Sequence, residues 1–281
     1  MKQDIFNFFI NDILDFLSQY MNINKIEKNY KSTIYKLTPN KINYIPVKIK
    51  NSTNFEGYSK LKVKENTGVT TVPVSKKNKD ILLTETICLV RDNAFTEKIQ
   101  KGIIFHELMH VGSTSQNKVD NKIIVNSGLT KIIYQKRRIT KGTRDLCFLN
   151  EAMTELVAKF IYDSLYNDKY DIKVKIDDKY MGTIYYRQYF LLAYLLLNYF
   201  EDNPEDLFEI YFNNNLNLLE YVLRKTWNIT LKELKKGINT LKKSSFSYFE
   251  NQRNILYRDW IDKINIIKPI KNKNVRYQFN L

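Results

Sequence analysis

The stretch Ile103-Ile104-Phe105-His106-Glu107-Leu108-Met109-His110 decides how the chain is read, because it holds the only two histidines among 281 residues. It lies in a segment that is helical on independent grounds. Asn93 or Thr96 can cap it, Ile99, Ile103, His106 and His110 recur on one stripe, and Gly112 offers a stop. Residues four apart stand one turn above each other on a helix face, so imidazoles at 106 and 110 can reach one divalent ion. Glu107 projects beside them, within reach of a metal-bound water. Chance is a poor account: in a chain of this composition, two histidines four apart with Glu after the first arise roughly once in three thousand.

Downstream stands Glu151, in Leu149-Asn150-Glu151-Ala152-Met153-Thr154-Glu155, at the start of a second helix that runs toward Tyr166. Met153, Leu156, Val157, Phe160 and Ile161 form its apolar side. Alone, this is an ordinary amphipathic helix with two glutamates on one face. Beside HELMH, the pair of motifs resembles the gluzincin zinc metallopeptidases, in which a glutamate from a second helix completes the metal site. The resemblance is carried by residues 87–160. It implies one Zn²⁺ held by His106, His110 and Glu151, Glu107 as general base, and Glu155 and Asn150 supporting the ligands from behind, Glu155 by orienting a ligand histidine. The rival zincin layout, with a third histidine six residues after the second, fails because Ser113 and Gln116 occupy its Gly and His places. A carboxylate must then complete a three-residue site: Glu151, unless Asp120 or another acid substitutes. The spacing of IIFHELMH, SGL and LNEAMTEL is similar to small intracellular peptidases of low-GC bacteria and their phages.

Gluzincins often draw an oxyanion stabiliser, a Tyr, His or Arg, from beyond the glutamate helix. No third histidine exists here, so Tyr185, Tyr186 and Arg187, in GTIYYRQYF, are the candidates. They compete with a packing role, since 20 Tyr are scattered through the chain.

Around these motifs the chain divides into three parts. Residues 1–30 are an amphipathic helix, with Ile5, Phe9, Ile13, Phe16 and Leu17 at helical spacing and acidic residues between them. Residues 31–112 carry β-prone pieces, INYIPVKIK, LKVKE, VTTVPV and ILLTETICLV, before the HELMH helix; Ile81 to Val90 is the strongest strand candidate. Residues 113–281 comprise a long polar loop to about 147 with a short strand near Lys122 to Val125, the glutamate-ligand helix, and a helical C-terminal part. The later helices span Tyr185 to Phe200, Pro204 to Asn213, Leu216 to Thr226, Thr230 to Lys242 and a segment through Trp260. The whole reads as one catalytic unit with an α+β, zincin-like fold. A small twisted sheet packs on the HELMH helix, the NEAMTE helix closes the site, and an extended peptide lies beside Ile81 to Val90.

Composition narrows the partners. A 43% hydrophobic content supplies a core, while 8 Gly, 5 Pro and 2 Cys exclude collagen-like, Pro-rich and disulfide-framed architectures. Cys88 and Cys147 lack metal or redox spacing and read as core thiols. A net charge of +15 invites a polyanion partner, but the excess is spread along the chain as AT-biased coding would leave it. Lys131, Lys136, Arg137, Arg138, Lys141 and Arg144 crowd the stretch between the motifs and would favour acidic substrates if they border the cleft. The N-terminus lacks the pattern of an export signal, and the longest apolar run, Tyr189 to Phe200, is too short to span a bilayer, so a cytoplasmic protein is expected. The expected activity is zinc-dependent hydrolysis of a peptide or protein substrate. Its alternatives are a regulatory peptidase that cleaves a repressor in a mobile element, and a basic nucleic-acid-binding protein with a degenerate zincin site. Steep salt dependence of nucleic-acid affinity would mark the last.

Overall fold

A computed structural model of the chain describes residues 4–38, 44–50, 56–62, 68–72, 74–77, 80–83, 86–91, 97–120, 122–135, 138–142, 146–167 and 197–236. The chain forms two compact units, 1–215 and 216–281. The first begins with α1 (Asp4–Leu17), which buries Phe6, Phe9, Ile10, Ile13, Phe16 and Leu17 and leaves Asn11 and Asp15 in solvent. Ile5 is only half-buried, so the apolar face is centred slightly away from the expected stripe. A short helix α2 (Asn24–Lys31) follows and buries Ile26 and Tyr30.

Seven strands come next: β1 (Ile34–Thr38), β2 (Tyr44–Lys50), β3 (Glu56–Lys62), β4 (Gly68–Thr71), β5 (Val74–Lys77), β6 (Asp80–Leu83) and β7 (Ile87–Arg91). β2 pairs with β3 and β5 with β6 as separate antiparallel ribbons. The remaining three form a sheet of order β1-β7-β4. β7 lies parallel to β1, with Ile34 opposite Ile87, and antiparallel to β4, with Gly68 opposite Val90. Ile87 to Val90 are all buried, and a strand covered on both faces reads as an unbroken apolar run.

Two sequence expectations need correction at this point. Ile81 to Val90 is not one strand but two, β6 and β7, and β7 has neighbours on both sides, so it has no free edge for a peptide. Among the described residues, β4 is the edge on the other side of β7. VTTVPV likewise divides between β4 and β5, and Pro73 lies outside the described residues. The first two residues of LKVKE end β3, and residues 63–65 lie outside the described residues.

Helix α3 (Glu97–Ser113) carries HELMH and does not stop at Gly112. That glycine serves close packing instead. A Cβ there would meet the Tyr30 hydroxyl at 2.7 Å and Phe212 Cε1 at 3.0 Å. Tyr30 is held by donating to the Leu108 carbonyl at 3.1 Å, and the Asn29 amide donates to the Gly112 carbonyl at 2.8 Å. Gly112→Ala should therefore cost stability although alanine is the better helix former: overpacking of about 1–3 kcal/mol exceeds a propensity gain of at most about 1 kcal/mol. A lower urea midpoint checks this; an unchanged or higher one contradicts it.

The stretch expected to be a long loop is a second sheet. β8 (Ser115–Val119), β9 (Lys122–Ser127), β10 (Thr130–Gln135) and β11 (Arg138–Gly142) run antiparallel in the order β11-β10-β9-β8. Of β9 only Ile123 and Val125 are buried, and β8 (SQNKV) is polar except at Val119, so the start of the sheet resembles loop in sequence. The turns place Asp120 at φ 52° and Gly128 at φ 52°. Of the basic cluster, Lys131 lies on β10 and Arg138 and Lys141 on β11; Lys136, Arg137 and Arg144 are outside the described residues.

Helix α4 (Cys147–Leu165) carries NEAMTE and is followed by α5 (Leu197–Asp202) and α6 (Pro204–Phe212). Phe105 of α3 ties three helices together, edge-on to Phe9 of α1 at 5.7 Å and to Tyr162 of α4 at 5.3 Å. In the second unit, α7 (Leu216–Trp227) buries Leu219, Val222, Leu223 and Trp227, and residues 231–236 are again helical. Of the helix expected over Tyr185 to Phe200, residues 185–196 lie outside the described residues, as do residues 237–242 and the segment through Trp260. Among the described residues no helix is long and apolar enough to cross a membrane. The architecture is α+β.

Candidate metal centre

The strongly buried residues of α3 are Ile104, Phe105, Leu108, Met109 and Val111, which fix the helix between α1, α4 and the β1-β7-β4 sheet. Of the expected stripe, Ile103 and His106 are half-buried and the side chain of Ile99 lies outside the described residues, so the stripe is not the most tightly packed face. It turns the two imidazoles toward α4, where Glu151 sits in the first turns. His106 Nε2 and His110 Nε2 lie 3.1 Å apart. Glu151 Oε2 is 3.1 Å from His110 Nε2 and 3.5 Å from His106 Nε2.

Two imidazole nitrogens at that separation have lone pairs or protons facing each other, and only a shared proton or a cation relieves the repulsion. An ideal tetrahedron with bonds of about 2.05 Å has edges of about 3.3 Å. The three observed edges bracket that value. His106, His110 and Glu151 together could hold a metal ion. Their side chains keep 16%, 11% and 31% of their surface exposed, so solvent can reach the group.

His106 Nδ1 supplies a second fit test. It is 3.1 Å from Glu155 Oε1, close enough for an ion pair. A metal on Nε2 would keep the proton on Nδ1, where Glu155 is in place to accept it. The donor set thus accommodates an ion on one face of the ring and a carboxylate on the other.

Glu107 is held beside the cluster by the sheet edge. It is buried, and the Thr70 hydroxyl of β4 lies 2.6 Å from its Oε2, as a donor, and 3.2 Å from its backbone carbonyl. Gly68 leaves the volume the carboxylate occupies: a Cβ there would sit 2.6 Å from both Glu107 Cγ and Oε1.

Charge in the cluster is self-contained. Burial raises the Glu107 carboxyl above its usual range, partly opposed by His110, His106 and the Thr70 hydrogen bond. Burial also acts to raise Glu151, but His110 and His106 outweigh it and hold that carboxyl well below the usual range. Burial acts to lower His106, yet Glu155, Glu151 and Glu107 raise it well above an ordinary imidazole. Three carboxylates around one ring call for positive charge at Nε2, which a proton or a metal ion can provide.

The sequence expectations map onto this geometry unevenly. His106, His110, Glu151, Glu107 and Glu155 come together. Asn150, beside Glu151, accepts the Leu129 backbone N–H on its Oδ1 at 2.6 Å. Asp120 is exposed in the turn after β8 and is not in the cluster. Tyr185, Tyr186 and Arg187 lie outside the described residues, as does the side chain of Cys147. Cys88 is a buried free thiol, pushed up by burial and by Glu107. Gly68, Thr70 and Tyr211 were not singled out in the sequence, because each enters from a distant element and carries no local signal. No family model, curated protein or solved structure matches this chain.

Proposed function

We propose that the chain is a zinc-dependent metallopeptidase of gluzincin type with a zincin-like arrangement of sheet and helices. The observation that carries this reading is the near-equilateral triangle of His106 Nε2, His110 Nε2 and Glu151 Oε2, with edges of 3.1, 3.1 and 3.5 Å. Two histidines and a carboxylate leave one tetrahedral position open, which is the pattern of catalytic rather than structural sites. Bound there, the ion would supply Lewis acidity and a water that ionises near neutral pH.

The chain's own residues divide the remaining work. Thr70 occupies Glu107 Oε2, so Glu107 Oε1 is the oxygen left to accept a proton from water and return it to the leaving amine. Glu155 keeps the His106 ring oriented. A substrate peptide can extend along β4, the sheet edge that already touches Glu107, adding backbone hydrogen bonds to a strand with no other partner on that side among the described residues.

Metal analysis of the purified protein tests the reading. About one zinc per chain is expected, together with hydrolysis of unfolded protein substrates that chelation abolishes and added zinc restores. A protein that takes up no divalent ion would end the proposal.

A further inference from the structure

Beside Glu151, helix α4 is joined to α6 and to the β9–β10 turn through a buried polar junction. The Tyr211 hydroxyl of α6 lies 2.7 Å from Thr154 Oγ1 on α4. Thr154 in turn donates to the Asn150 carbonyl at 2.8 Å. One completely buried phenol therefore ties α6 to the turn of α4 that bears Glu151.

The β9–β10 turn closes the same junction. Asn150 Oδ1 accepts from Leu129 N at 2.6 Å, and the Asn214 amide donates to the Gly128 carbonyl. Gly128 has φ 52°, and a Cβ there would come within 2.0 Å of Asn150 Oδ1 and 2.8 Å of Tyr211 Cε2. The turn is seated on the asparagine and the tyrosine with no room to spare. A buried polar network with every member engaged admits essentially one arrangement, whereas apolar packing alone tolerates sliding of a helix.

We propose that this junction is a latch that sets the reach of Glu151 toward the histidine pair, with Tyr211, Asn150 and Asn214 as positioning residues. The inference rests on the metal-centre reading above. Groups that orient metal ligands from behind typically change metal affinity by about 10- to 100-fold when removed.

Tyr211→Phe deletes the hydroxyl and keeps the ring, while Asn214→Gly deletes the amide that holds the turn and suits the positive φ of 55° at that half-exposed site. The full-length variants are compared with the wild type by zinc affinity in chelator competition, by the visible spectrum of the Co²⁺-loaded protein, and by melting of the metal-free protein. Affinity lower by about 10-fold or more with weakened tetrahedral Co²⁺ bands, as a carboxylate gives way to water, supports the latch. Unchanged affinity and spectrum overturn it, including the case where metal-free melting falls and the junction is merely structural. If Tyr211→Phe fails to fold, Asn214→Gly decides alone. Failure of the underlying reading looks different: the wild type would bind no zinc, or bind it equally well as His106→Ala.

Discussion

Glu107→Gln protein is expected to hold as much zinc as the wild type and to lose about 10²- to 10⁴-fold in kcat, or roughly 3–5 kcal/mol of barrier lowering. The argument is steric and chemical at once. Glutamine has nearly the volume of glutamate, so it fits the notch that Gly68 leaves, and its amide oxygen can still accept the Thr70 hydroxyl. No metal ligand changes. What disappears is a group able to take a proton from water and pass it to a leaving amine. Zinc stoichiometry measured alongside turnover separates the two effects, and a glutamine variant of wild-type activity would remove Glu107 from the role of base.

His106→Ala is expected to fail on both counts, losing stoichiometric zinc and all metal-dependent hydrolysis. His106 is the ring the other groups are gathered around: its Nε2 faces His110 and Glu151, and its Nδ1 faces Glu155. Removing the ring leaves one histidine and a carboxylate, too few to keep a zinc ion against a chelator, and leaves Glu155 with no ring to orient. Zinc added to wild-type protein should raise its melting temperature, because a ligand that binds only the folded state stabilises it by mass action. The alanine variant should show no such shift. A variant that still carried one tightly held zinc per chain would place the metal somewhere other than this cluster.

The contrast between the two variants also bears on the basic-protein alternative. A nucleic-acid-binding protein with a degenerate site would have salt-sensitive affinity indifferent to Glu107→Gln. At the cluster the acidic residues Glu107, Glu151 and Glu155 are gathered around His106.

How much could be read without coordinates differs by residue. The two motifs lay on helices α3 and α4, as their periodicity indicates, and α1, α6 and α7 follow their apolar spacing to within a few residues. Gly112 misled, because a glycine near a helix end looks the same whether it stops the helix or admits a neighbour; Tyr30 and Phe212 decide which. The second sheet was hidden for a related reason. Its first strand, β8, is polar except at Val119, and β9 buries only Ile123 and Val125, so little apolar pattern marks where the sheet begins. Asn150 adjoins a proposed ligand in sequence, but that its side chain accepts from the backbone of Leu129 is visible only in the folded chain.

Local spacing was enough to put His106 and His110 on one face of one helix, since that follows from 3.6 residues per turn and nothing else. It was also enough to mark Glu151 and Glu155 as neighbours on a second helix. Whether the second helix meets the first depends on packing between segments far apart in the chain. Phe105 against Tyr162, Tyr211 on Thr154, and Thr70 on Glu107 are contacts that no window of sequence contains. Tertiary structure alone brought Glu151 within 3.1 Å of His110, because the free energy that holds two helices in register resides in the groups between them.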